Sequence, residues 1–237
     1  MLLKRKISIK ITVYSLVILI IGAIGTIFAN EPFLIFTNTK NSTQKTVIVD
    51  AGHGGFDGGA VVGEVLEKDI NLKIANSLSN MLRASGFKVI CIRTDDSSTE
   101  SDPAATIAAR KRSDLNNRLE ILKQNPDAVL VSIHLNKFSS ASAKGAQMFY
   151  SPKNEKSKAL AECLKTSVKE LLQPENHRTV KAGTKSTFLL YYSPIPAVIA
   201  ECGFMSNPAE FSLLQTEKYQ REMAFSLLCG ILKYFNT

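Results

Sequence analysis

Four polar residues placed at the ends of apolar runs, or just after them, constrain this chain more than any other feature. His53 follows the run TVIVDAG, His134 follows VLVSI and Glu201 follows AVIA, whereas Glu67 opens the segment EKDINL. Short apolar runs bounded by turn residues are typical of buried strands. Open α/β sheets bind ligands beyond the carboxyl ends of their strands. We therefore expect these side chains to meet at one edge of a sheet, with Glu67 at the start of a helix.

The chemistry of this set is that of a metal centre. Two imidazoles and one carboxylate are a typical catalytic zinc set, in which a fourth coordination position stays open. The chain has only three histidines, two of them end predicted strands, and glycine on both sides of His53 allows close approach of the backbone. We predict one metal ion, with zinc preferred although manganese or cobalt could use the same ligands. The second glutamate is then free to act as a base, and His177, in the polar stretch PENHRT, is predicted to be a solvated loop residue.

Helical periodicity predicts four helices. One begins at Glu67 and stops at Gly86, and a last amphipathic helix runs from about 216 to 235. Residues 155–172 are predicted to form another helix. The fourth is DLNNRLEILKQ, which Ser113 can cap.

Strand-like segments alternate with these helices. The polar tract of residues 94–112 is predicted to be a long loop or lid. The alternation predicts an α/β fold of three layers, with a mostly parallel or mixed twisted sheet and helices on both faces. The predicted strands are residues 46–50, FKVICI, AVLVSI, GAQMFYS, TFLLYY and AVIAE.

The N-terminal segment is that of an exported protein. Four positive charges in MLLKRKISIK precede nineteen residues without a charge, ITVYSLVILIIGAIGTIFA. A bilayer core takes about 20 apolar residues, and basic residues favour the cytoplasmic side. A signal peptide that ends at Ala29 is the competing interpretation, although the apolar run is long for one. We predict an anchor or signal over residues 1–29, a linker over 30–45 and an exported catalytic domain over 46–237.

Several classes of function are not supported. Half of the net charge of +8 lies in the first ten residues and the other basic residues are scattered, so nucleic-acid binding is not indicated. The glycine-rich GHGGFDGG lacks the phosphate-loop and dinucleotide-binding spacings, and neither G-x-S-x-G nor H-E-x-x-H occurs. A domain of this size can bury a real core, so free thiols are expected rather than a disulfide framework. A metal-dependent hydrolase with dispersed ligands remains.

The motifs DAGHGG-x-D-x-GA, EKDINL, SIHLN and ECGF-x-SN together resemble the zinc-dependent N-acetylmuramoyl-L-alanine amidases of the Amidase_3 family, over about residues 45–235. The resemblance implies that His53, Glu67 and His134 bind one zinc ion and that Glu201 is the catalytic glutamate. Arg118 also matches a recurrent family position, with no role implied.

Within the family the chain looks most like the CwlD spore-cortex amidases. These remove the stem peptide from muramic acid so that muramic-δ-lactam can form in the cortex. Leu135 after the second histidine and Cys202 after the catalytic glutamate depart from the family pattern, and both departures bear on substrate fit. Two alternatives stay open: another zinc hydrolase of wall peptides, such as a carboxypeptidase, and a wall-binding module without activity.

The resemblance also bears on partners and location. Peptidoglycan is the implied substrate, and the implied location is the cell wall or the forespore intermembrane space, with the protein membrane-anchored or secreted. Some division amidases of this kind carry an inserted helix that blocks the zinc, but here GAQMFYS passes through PKNEK directly into the next helix. We therefore expect restraint from outside the chain, by timed synthesis or by an accessory or activating protein.

Overall fold

A computed structural model describes residues 44–237. The predicted anchor or signal segment and nearly all of the predicted linker therefore lie outside the described residues. Within the described part, no helix has the length and apolar character needed to cross a membrane. The strands are β1 (Thr46–Ala51), β2 (Val61–Val62), β3 (Val65–Leu66), β4 (Lys88–Cys91), β5 (Ala128–Asn136), β6 (Gln147–Tyr150), β7 (Lys181–Ala182) and β8 (Ala197–Phe204). The helices are α1 (Glu67–Ala84), α2 (Ile107–Lys123), α3 (Lys156–Leu171), α4 (Phe188–Tyr192), α5 (Pro208–Leu214) and α6 (Glu217–Phe235).

Six strands form one mixed sheet in the order β4-β1-β5-β8-β6-β7, and β2 and β3 form a separate hairpin. The first four strands of that order are parallel, whereas β6 runs antiparallel to β8 and parallel to β7. Parallel strands bring their carboxyl ends to the same edge, so β1, β5 and β8 deliver their last residues to one place. The predicted three-layer α/β fold is confirmed.

Alternation along the strands divides the core between the two faces of the sheet. On one face, Val49 and Val131 pack with the buried residues of α1, α3 and α6. On the other face, Ile48 and Leu130 pack with α2 and α4. Two long helices, α3 and α6, approach closely where Gly230 faces Leu164, because a Cβ at Gly230 would lie only 2.7 Å from the Cα of Leu164.

Three local predictions are wrong. Ser113 does not cap a helix, because α2 already begins at Ile107, where the side chain of Thr106 accepts a hydrogen bond from the backbone of Ala109. The predicted lid is therefore a loop only as far as Thr106, and its last six residues, IAARKR, are helical. The segment TFLLYY forms helix α4 instead of a strand.

The remaining loop of the predicted lid is fixed to α2. Asp114 accepts hydrogen bonds from the backbone of Thr99 at 2.7 Å and from its hydroxyl at 2.8 Å. Ser113, inside the helix, instead accepts a hydrogen bond from the backbone of Ser101 at 3.0 Å. These contacts place the loop beside the residues that follow β1, where the backbone of Gly55 donates to Asp96 at 2.9 Å.

Candidate active site

The four residues singled out in the sequence meet at the carboxyl edge of the sheet. Ligand atoms of His53, Glu67 and His134 all lie within 4.8 Å of one another. One oxygen of Glu67 lies 3.3 Å from Nε2 of His53 and the other lies 3.2 Å from Nδ1 of His134. Glu201 is the register partner of His134 on the neighbouring strand. The expected convergence is therefore present in the fold.

The backbone at His53 has an unusual conformation. With a φ of 63°, His53 is the only non-glycine residue of the described chain in the left-handed region, a conformation that costs about 1–2 kcal/mol. Two buried arginines bind the carbonyl oxygens around it. Arg118 donates to the carbonyl of His53 at 2.7 Å, and Arg93 donates to those of Ala51 at 2.7 Å and Gly52 at 3.1 Å. These hydrogen bonds give Arg118, whose role the sequence left open, a structural position beneath the loop.

A buried ionic network holds Arg118 in place. Its guanidinium bonds to the carboxylate of Asp50 and donates to Asp114 at 2.8 Å. Burial acts to raise the pKa of Asp50, but Arg118 and the hydroxyl of Ser132, at 2.6 Å, outweigh burial and hold that pKa below its usual range. Asp50 is therefore ionised, and Arg118 compensates its charge.

Two glycines of the motif are required by close approach to the metal-binding side chains. A Cβ at Gly52 would lie 2.3 Å from the imidazole of His134. At Gly59, where φ is +70°, a Cβ would lie 2.6 Å from the carboxylate of Glu67. Any larger residue at either position would displace the side chains that form the cluster.

Glu67 is held by groups outside the cluster. One carboxylate oxygen accepts hydrogen bonds from the backbone of Leu135 at 3.0 Å and the side chain of Asn71 at 3.2 Å. The other accepts from the backbone of Ala60 at 2.9 Å. Burial acts to raise the pKa of Glu67, but hydrogen bonds from His134 and His53 hold it far below its usual range. Asn71, which sequence reasoning missed, stands one helical turn after Glu67 within EKDINL, and that spacing could have identified it.

Asp57 and Lys111 extend the cluster toward α2, and sequence reasoning missed both. Asp57 accepts a hydrogen bond from Nδ1 of His53 at 3.0 Å and pairs with Lys111 at 3.0 Å. Burial acts to lower the pKa of His53, but its hydrogen bonds to Asp57 and Glu67 raise that pKa to about 9. The hydrogen bond from His53 also holds the pKa of Asp57 well below its usual range. Asp57 could have been identified because it belongs to the glycine-rich motif.

Glu201 has a different environment from Glu67. Its Oε2 is buried and has no hydrogen-bond partner among residues 44–237. Burial, with a smaller contribution from Glu67, raises the pKa of Glu201 to about 7. A carboxyl group with a pKa near neutrality can both accept and release a proton at physiological pH.

The residues present fit a zinc ion. Two imidazole nitrogens and one ionised carboxylate are the donors that zinc prefers, and the orphaned Oε2 of Glu201 shows that a polar partner is missing beside them. His177 takes no part, because it is exposed in a loop after α3 as predicted. All four cysteines are free, and Cys202 is fully buried in the core that packs against α1, α3 and α6.

The chain matches known proteins over most of its described part. The model of the Amidase_3 family, N-acetylmuramoyl-L-alanine amidase, matches residues 47–233. A germination-specific N-acetylmuramoyl-L-alanine amidase of Bacillus subtilis is 34% identical over 191 residues, which cover 81% of this chain and 80% of the relative.

Two solved structures are similar in both sequence and fold. The CwlD amidase from Clostridioides difficile, in complex with the GerS lipoprotein, has a TM-score of 0.78 and 40% identity, and the match covers 81% of this chain and 99% of that one. An N-acetylmuramoyl-L-alanine amidase from Clostridium difficile 630 has a TM-score of 0.70 and 31% identity, with 83% and 99% covered. The chain therefore belongs to the Amidase_3 family of N-acetylmuramoyl-L-alanine amidases, enzymes of the cell wall, and within that family it is similar to CwlD.

Proposed function

We propose that this protein is a zinc-dependent amidase that hydrolyses the amide between the lactyl group of N-acetylmuramic acid and L-alanine in peptidoglycan. One observation carries the proposal: two imidazoles and the ionised Glu67 converge beside Glu201, a carboxyl group whose Oε2 is buried without a partner. Family membership narrows the reaction to this amide.

In this proposal His53, Glu67 and His134 hold one zinc ion. When bound, zinc polarises the scissile carbonyl group and lowers the pKa of a bound water to about 7. Asp57 and Asn71 orient two of the three ligands, because each makes a hydrogen bond to one of them. Such outer partners fix the tautomer of a histidine and the direction of a carboxylate.

Glu201 is the proposed general base and then the general acid. As base, it takes the proton from the attacking water while the hydroxyl oxygen bonds to the carbonyl carbon. As acid, it gives that proton to the alanine nitrogen as the carbon–nitrogen bond breaks. Burial acts to raise the pKa of Glu201 above its usual range, which favours uptake of the proton from the attacking water. The products are a free lactyl carboxylate on the glycan and a stem peptide with a free L-alanine amino group.

We assign the protein to spore cortex maturation, where removal of stem peptides precedes formation of muramic-δ-lactam. The support is its similarity to a germination-specific amidase and to CwlD. The described chain has no helix inserted between β6 and α3, where only residues 151–155 connect the two elements. Control by an accessory protein fits this open arrangement, and CwlD of Clostridioides difficile has a structure in complex with a lipoprotein.

The proposed domain organisation places the catalytic domain outside the cell. Residues 1–29 act as a membrane anchor or signal, 30–45 as a linker and 46–237 as the zinc amidase domain. The basic N-terminus and the long uncharged run support export. The enzyme then works in the cell wall or the forespore intermembrane space, either anchored or secreted.

Digestion of purified peptidoglycan by the full-length, zinc-loaded chain tests the proposal. Mass spectrometry should find new free L-alanine amino termini, together with one zinc per chain by elemental analysis. Release of D-alanine would instead mean a carboxypeptidase, and wall binding without any product would mean a binding module. Vigorous turnover without any added protein would rule out an obligatory activator and leave timed synthesis as the control.

A further inference from the structure

We propose that a pocket next to the start of β6, the strand that pairs with the Glu201 strand, binds a carboxylate of the stem peptide, with Arg178 as the residue that contacts it. The proposal rests on the amidase function above and names the part of the substrate that this pocket recognises. The pocket has a volume of about 430 Å³, within the range of about 300–1,000 Å³ typical of ligand sites. It lies between residues 142–145, before β6, and residues 173–178, after α3.

Two cationic and two acidic side chains line this pocket, so Arg178 is judged by its own contacts and not by the net charge of the lining. Lys144 and Arg178 both line it, and neither forms an ion pair with a carboxylate of residues 44–237. The carboxylate of Glu210 also lines it, but both of its oxygens already accept backbone N–H groups, at 2.7 and 2.8 Å. Glu175 is exposed to solvent. The backbone N–H groups therefore hold Glu210 in place, whereas no carboxylate of residues 44–237 lies within ion-pair distance of Arg178 or Lys144, and each can still bind an anion.

The guanidinium of Arg178 is held in a fixed orientation. Its Nε donates to the carbonyl of Lys144 at 2.7 Å, and its carbon lies 4.5 Å from the centre of the buried Phe204 ring. One terminal nitrogen lies 3.5 Å from the amide oxygen of Gln147. The other terminal nitrogen makes no hydrogen bond within residues 44–237, and Arg178 is one of the residues that line the pocket. An oriented guanidinium presents a planar pair of donors that matches a carboxylate.

Gln147 connects Arg178 to the proposed general base. It is the antiparallel register partner of Glu201, and such partners have Cα atoms about 5 Å apart. From this strand spacing plus the length of the side chains, we infer that the guanidinium lies on the order of 10 Å from a scissile amide placed beside Glu201. An extended peptide spans about 3.3–3.6 Å per residue. Arg178 can therefore reach the residue that follows L-alanine, or the one after it.

The stem peptide offers a carboxylate at this distance. Its second residue is of the glutamate type and is joined onward through its side chain, so its α-carboxylate is free unless the cell wall is amidated. An arginine placed here would prefer a stem peptide with a free α-carboxylate to one with an α-carboxamide. Removal of a charge-assisted hydrogen bond of this kind typically costs about tenfold or more in binding.

Two synthetic muramoyl tripeptides test the proposal with the full-length, zinc-loaded chain. Both are MurNAc-L-Ala-γ-D-Glu-L-Lys, one with a free α-carboxylate and the other with an α-carboxamide on the second residue. The wild-type KM should be at least tenfold lower for the carboxylate, with kcat values within about twofold of each other. In Arg178→Gln the two KM values should converge, and Arg178→Lys should keep part of the preference.

Lys123→Gln is the matched control. It removes the same charge from an exposed side chain at the far end of α2, so it should keep the full preference. Equal wild-type KM values for the two tripeptides would overturn the proposal, whether or not the variants fold. A preference that survives in Arg178→Gln would also overturn it. Cleavage of neither tripeptide, together with no reaction on peptidoglycan, would contradict the amidase function itself.

Discussion

Asp57 accepts a hydrogen bond from Nδ1 of His53 at 3.0 Å, and this leaves Nε2, 3.3 Å from Glu67, as the ring nitrogen that faces the cluster. The contact fixes the tautomer in which Nε2 carries the lone pair for a metal. Asp57→Asn should therefore weaken zinc binding by about 10–100-fold.

Chelator competition measures this affinity directly, and nitrogen-15 NMR of the zinc-loaded protein reports which ring nitrogen of His53 carries the proton. Asp127→Asn is the control, because Asp127 is an exposed aspartate at the opposite end of the sheet. Unchanged affinity and an unchanged tautomer in Asp57→Asn would show that Asp57 does not orient His53.

His134→Ala should lose both zinc and activity. His134 contributes one of three ligand side chains that lie within 4.8 Å of one another, and its removal leaves too few donors for tight binding. The fold should survive, because the imidazole packs against Gly52 and is not part of the hydrophobic core. Elemental analysis and circular dichroism check the two expectations, and full zinc content in this variant would remove His134 from the site.

Glu201→Gln and Glu67→Gln should have opposite effects on metal content. Glutamine keeps the shape of glutamate but has no basicity, so Glu201→Gln should bind zinc as the wild type does and turn over at least about a hundredfold more slowly. Glu67→Gln should lose affinity for zinc, because the ionised carboxylate is the donor. If Glu201→Gln were the variant that loses zinc, the two proposed roles would have to be exchanged.

These residues also show how far the sequence alone could lead. The ends of β1, β5 and β8 were identifiable because apolar runs end abruptly in polar residues, and that pattern was enough to place His53, His134 and Glu201 at one edge. The segment TFLLYY has the composition of a strand, but Leu189 and Leu190 are adjacent and both buried, which a half-exposed strand does not allow.

The hydrogen bonds around the cluster were harder to predict. Asp57 and Asn71 are ordinary polar residues until the fold brings them to His53 and Glu67. Arg93 and Arg118 lie 42 and 65 residues from the carbonyl oxygens they bind, Ala51 and His53. Such contacts follow from tertiary structure and leave no periodic signal in the sequence.

The raised pKa of Glu201 predicts a pH-dependent cost to the metal-free fold. Its pKa is about 7 in the folded chain against 4.5 for an ordinary glutamate, so the unfolded chain loses this proton first as pH rises. The contribution of Glu201 to the free energy of unfolding does not change well below pH 4.5 and falls between about pH 4.5 and 7. By pH 8 this contribution has fallen by up to roughly 3 kcal/mol.

Urea unfolding of the metal-free wild type and of Glu201→Gln at pH 4.5 and 8 measures this cost. Glutamine does not titrate, so the free energy of unfolding of the variant should rise relative to that of the wild type between pH 4.5 and pH 8. The comparison uses the change between them because the glutamine amide is itself a polar group without a partner. The same stability difference at both pH values would mean that Glu201 is not desolvated as the structure indicates.

Arg118→Met should destabilise the fold and not only the site. The side chain of Arg118 is 2% exposed, and it compensates the charge of Asp50, whose side chain is 1% exposed. Removal of one partner from a buried ion pair leaves the charge of the other uncompensated, at a cost of about 3–5 kcal/mol in the free energy of unfolding.

Arg112→Met, an exposed change on the same helix, should shift the free energy of unfolding by less than about 0.5 kcal/mol. Urea titration of both variants at pH 7 distinguishes the two cases. An Arg118→Met variant as stable as Arg112→Met would mean that Asp50 takes up a proton or finds another partner, and that the loop at His53 does not depend on the arginine beneath it.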